Sequence, residues 1–89
     1  MSEREAAQQV LAALKRAEQA PPQDALTILN GLVSLVQGHG EASLEVEEAR
    51  APAFLAICEV GKAVHRGQPA DGAYATAIKT TERWMALVK

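Results

Sequence analysis

The chain has 89 residues, which leaves room for one domain over residues 1–89 and no more. Nine basic and eleven acidic residues give a net charge of −2. That balance is no electrostatic footprint for nucleic acid, which needs a clustered basic face. A single cysteine, Cys58, excludes an internal disulfide and points to a reducing compartment.

The opening residues, MSEREAAQQ, are polar and show no apolar run after a basic start, so no secretory signal is expected. The longest uncharged stretch, ALTILNGLVSLVQGHG over residues 25–40, is interrupted by Asn30 and Ser34. It falls short of the roughly 20 apolar residues a membrane span requires. The expectation is a cytoplasmic protein with no membrane partner. Its alanine richness fits a GC-rich bacterial source. A chain this short buries only about 60% of its unfolded surface, so association with another chain is an expected source of stability.

The apolar spacing is helical nearly throughout. Helix one is expected over 2–19, with Ser2 and Glu5 forming a capping box and Ala6, Val10, Leu14 and Ala17 forming the inner stripe. Pro21-Pro22 ends it. Helix two is expected over 22–37, with Pro22 at the first helical position and Asp24 in the first turn. Gln37-Gly38-His39-Gly40 supplies its cap. The link between these helices is very short, so they pack antiparallel. In residues 41–51, Ser43 is able to cap a short helix over 43–50. Pro52 would clash with the carbonyl of Glu48, and a break is therefore expected there. Helix three then covers 52–66, with Phe54, Ile57, Cys58, Gly61 and Val64 inside. Helix four is expected over 69–88, opened by Pro69. It carries one stripe through Tyr74, Ile78, Thr81, Met85 and Val88 and a second through Ala73, Ala77, Trp84 and Leu87. The fold class is all-α: a small bundle of four main helices arranged as two helical hairpins.

Helix two carries the least expected pattern. Its apolar residues, Leu26, Leu29, Leu32, Val33 and Val36 with Ala25, Ile28 and Leu35, fill about half the circumference. The opposite side holds Thr27, Asn30, Gly31 and Ser34, which are uncharged and mostly small. Either this helix is central in the bundle and covered by the other three, or its outer side meets another chain. Interfaces of the second kind resemble a domain core cut in half. Small residues at 27, 31 and 34 would let a partner backbone approach closely. On helix four, Trp84 and Leu87 with Arg83 beside them form the second candidate contact. Tryptophan is common at interface hot spots and equally at home in a small core.

No motif fixes a catalytic chemistry. Cys58 and His65 are seven apart on one helix, about 10 Å along the axis, too far for a thiolate–imidazole hydrogen bond. No CxxC or HExxH spacing occurs, so neither a metal nor another cofactor is expected. Gly38-His39-Gly40 lacks the pattern of a phosphate loop. Glu41, Glu45, Glu47 and Glu48 are acidic neighbours relieved only by Arg50, and read as a solvated face or a docking patch for a basic partner. Val60-Gly61-Lys62 with Gly67 and Ala73 resembles a tetratricopeptide hairpin over a minor part of the chain. Most of that family's aromatic and proline positions are unfilled.

The reading favoured by these residues is a non-enzymatic regulator that binds another protein, of anti-activator, inhibitor, chaperone or antitoxin type. It would mask its partner's interface with an apolar helix surface and form a homodimer through helix two, with helix four as the second candidate contact. The rival reading is a constitutive structural subunit of a larger assembly.

Overall fold

The computed structural model describes residues 2–36 and 43–88, apart from the Ser34 side chain. Among the described residues four helices run in chain order: α1 Glu3–Glu18, α2 Pro22–Val36, α3 Leu44–His65 and α4 Asp71–Leu87. No strand occurs among the described residues. Each helix packs on its neighbours in sequence, and α4 closes back on α1. The connections from α1 to α2 and from α3 to α4 are short. The close of α1 and α3 and the start of α2 and α4 surround one surface depression. At the other end Arg4 Nη1 donates to the Val88 carbonyl, 3.1 Å away. The helices therefore alternate up and down as two antiparallel hairpins, an all-α bundle.

Local signals explain most of the helix ends. The Ser2 hydroxyl accepts from the Glu5 backbone N–H at 3.1 Å and itself donates to the Glu5 carboxylate at 3.2 Å. This keeps one half of the expected capping box and replaces the other half with a side-chain bond. Pro22 opens α2 as expected, since a first-turn N–H has no helical acceptor to lose. The α3 terminus is a Schellman motif. Gln68 N–H donates to Ala63 O and Gly67 N–H to Val64 O, with Gly67 at a φ of +69°. Pro69 does not open α4; Ala70 takes the cap position without a side-chain bond, and the helix begins at Asp71. The cap expected at residues 37–40 lies outside the described residues.

The expected break at Pro52 does not occur. Ser43 caps a single helix of 22 residues, its hydroxyl accepting from Val46 N–H, and Pro52 lies inside it. Proline there removes one helical hydrogen bond and typically costs about 3 kcal/mol. Two features offset that cost. Pro52 faces solvent, where the Glu48 carbonyl can be hydrated. On the inner side Ala49, Ala53, Ala56, Ile57 and Val60 are buried across the proline without interruption. The inner face is also rotated from expectation, since Phe54, Cys58, Gly61 and Val64 are only half-buried.

The core is alanine-rich, with Trp84, Leu14, Val10 and Val60 as its largest fully buried apolar side chains. Small residues let the helices approach closely, and one tryptophan fills the space they leave.

Candidate functional site

The broad apolar arc of α2 is accounted for within the bundle. A corner helix in a square of four has two neighbours, so it needs two adjacent apolar flanks rather than one narrow stripe. Ala25, Leu29, Leu32 and Val36 point into the core. Ile28 and Leu35 line the groove toward Ala12, Ala13 and Arg16 of α1. Leu26 lies on the other flank, toward Gly61, Lys62 and His65 of α3, and Val33 is half-buried. Leu29, Leu32 and Val36 are thus core residues and not an outward contact surface, which corrects the expectation placed on them.

What α2 leaves outside is small and uncharged. Thr27, Asn30 and Gly31 are exposed, and the Ser34 side chain lies outside the described residues. The Thr27 hydroxyl donates to its own helix at Gln23 O, 3.1 Å. A Cβ built at Gly31 meets nothing within 4 Å.

Trp84 is likewise corrected from candidate contact to core. It is fully buried, and its indole Nε1 donates to Glu3 Oε2 at 3.1 Å. The other carboxylate oxygen of Glu3 accepts from Arg50 Nη1 at 2.6 Å. Arg50 is itself buried, and its second nitrogen lies 3.8 Å from Glu47. One glutamate at the start of α1 therefore ties α3 to α4. A buried guanidinium and a buried indole N–H both need an acceptor, and Glu3 supplies both. The sequence offered one hint of this, the lone Arg50 inside the acidic run, and none of its partners. Arg83 and Leu87 remain exposed on α4.

The most exposed large apolar side chains among the described residues lie elsewhere. Leu44 is 70% exposed and Leu55 63% exposed. Both belong to α3, and with Ala51 between them they fall on one line of that helix at i, i+7 and i+11. Phe54, half-buried, and Val36 join Ala51 and Leu55 in lining a shallow groove beside this ridge. The ridge was illegible in the sequence because it exists only if the helix runs unbroken through Pro52.

Cys58 is a free, half-buried thiol on α3, and His65 is exposed at the same helix's last turn. Among the described residues no three His, Cys, Asp or Glu side chains gather as a metal site. No described helix is long and apolar enough to cross a membrane.

Fold and surface together define a small four-helix bundle with an exposed apolar ridge on its longest helix. No family model matches the chain, and no curated protein or solved structure gives a significant match.

Proposed function

We propose that this chain is a non-enzymatic regulator that acts by binding another protein and covering that partner's own interface, in the manner of an anti-activator, inhibitor, chaperone or antitoxin. The observation that carries the reading is the α3 ridge. Two leucines more than half exposed on one helix line, with a mainly apolar groove edged by Glu47 and Arg50 beside them, are a contact surface waiting for cover. The masking surface is therefore assigned to α3, since α2 directs its large apolar side chains inward. The lone free cysteine suits a reducing compartment, and the cytoplasm is the proposed location.

The test is capture from cells with wild type, Leu55→Glu and Thr27→Glu as baits. Any protein so identified is then purified and titrated against all three by calorimetry. The expected partner binds wild type and Thr27→Glu alike and loses at least tenfold in affinity for Leu55→Glu. Equal affinity for all three baits would overturn the assignment to α3.

A further inference from the structure

The outward face of α3 is self-complementary. Leu44, Glu48, Ala51, Leu55 and Lys62 are all exposed and occupy one strip of the helix about 60° wide, with the exposed Arg66 at its C-cap. Charge is segregated toward its two ends, with Glu59 beside Lys62 the one acidic residue in the second half. The first turns carry Glu45, Glu47 and Glu48, and the last carry Lys62, His65 and Arg66. Leu55 is the pivot, because Glu48 lies seven residues before it and Lys62 seven residues after.

We propose that the α3 ridge pairs with the same ridge of a second copy, antiparallel, about a two-fold axis through Leu55. This deepens the binding reading given above and rests on the same surface. In that arrangement Leu55 meets Leu55 of the second copy, over the groove that Ala51, Phe54 and Val36 line. Glu48 of each chain faces Lys62 of the other, so one register forms two symmetric ion pairs. Parallel pairing would set Glu48 against Glu48 and Lys62 against Lys62, and like charges oppose it. Lys62 now lies 3.3 Å from Glu59 of its own helix, with both side chains more than half exposed. Such a surface pair contributes little and is readily exchanged for one across the interface. The copy and a heterologous partner then compete for one ridge, and self-pairing keeps it covered until a partner displaces the copy.

The deciding experiment is light scattering on the full chain over a concentration series, joined to cross-linking. Wild type is expected to pass from monomer to dimer as concentration rises. Leu55→Glu is expected to remain a monomer with an unchanged helical circular-dichroism spectrum, since the side chain is exposed. Glu48→Lys is expected to weaken the dimer by about tenfold, and Glu48→Lys combined with Lys62→Glu to restore it, in line with two exposed charge pairs. In a Cys58→Ser background, Leu55→Cys is expected to form a disulfide-linked dimer under mild oxidation, and Thr27→Cys to form none. A wild type that is monomeric at every concentration overturns self-pairing, as does a dimer that survives Leu55→Glu. If wild type stays monomeric while a captured partner still requires Leu55, self-pairing falls and the binding reading stands. If wild type dimerises through Leu55 and no other protein requires that residue, self-pairing stands and the heterologous reading falls.

Discussion

Helices α2 and α3 sit side by side in the bundle and treat apolar side chains in opposite ways. α2 has the more apolar sequence and shows no large apolar side chain fully to solvent. Its leucines and valines are divided between the core and the grooves toward α1 and α3. α3 is rich in charge, yet it holds two of the three most exposed large apolar side chains described, Leu44 and Leu55. Composition is thus a poor guide to which helix can bind. What counts is how many neighbours a helix has on each flank and whether its apolar residues fall on those flanks.

The widest separation between the two helices is expected from paired truncations. Leu32→Ala on α2 removes a core side chain and is expected to cost about 2–5 kcal/mol. At concentrations where the chain is monomeric, Leu55→Ala on α3 is expected to stay within about 0.5 kcal/mol, as surface changes do. Urea unfolding of both variants checks the contrast, and equal losses would break it. A smaller effect is expected where α1 ties α3 to α4. Glu3→Ala leaves the Arg50 guanidinium and the Trp84 N–H without their shared acceptor. The cost expected is about 1–3 kcal/mol, tempered by the partial exposure of Glu3. Glu5→Ala, on the exposed side of the same turn, serves as the control.

Smaller still is the change at the outer side of α2. Gly31→Ala meets no atom within 4 Å and replaces a residue poorly suited to a helix interior. It is expected to stabilise the fold by about 0.5–1 kcal/mol. Gly31→Arg is expected to fold equally well and to leave a dimer built on α3 intact. Dissociation by Gly31→Arg would move the interface back to α2.

The last comparison concerns alkaline pH. Burial, with a contribution from the Glu18 charge, raises the Tyr74 pKa above its usual 10.0. The unfolded chain then ionises its tyrosine first, so this contribution to stability is complete below pH 10 and is lost as pH rises through the higher folded value. The buried Tyr74 hydroxyl has no hydrogen-bond partner among the described residues. Tyr74→Phe is therefore expected to fold well at neutral pH and to lose less stability than wild type above pH 10. Parallel denaturation curves at neutral and alkaline pH measure the difference.

The sequence by itself determined the fold class, the number of main helices and most of their ends, because these follow from local physics. Apolar spacing, the Ser2 cap, Pro22 in a first turn and Gly67 at positive φ each act within a few residues of chain. Three matters were decided only by tertiary structure. The α2 arc proved to face the bundle, part in the core and part half-buried, because α1 and α3 flank it on two sides. Trp84 turned inward because the small-residue core leaves it space, and Glu3, far away in sequence, supplies the acceptor its buried indole N–H needs. The helix ran through Pro52 because burial on its inner face, summed over both sides of the proline, outweighs one lost hydrogen bond. Each is a balance between a local preference and contacts made by distant residues, and a one-dimensional pattern records only the first.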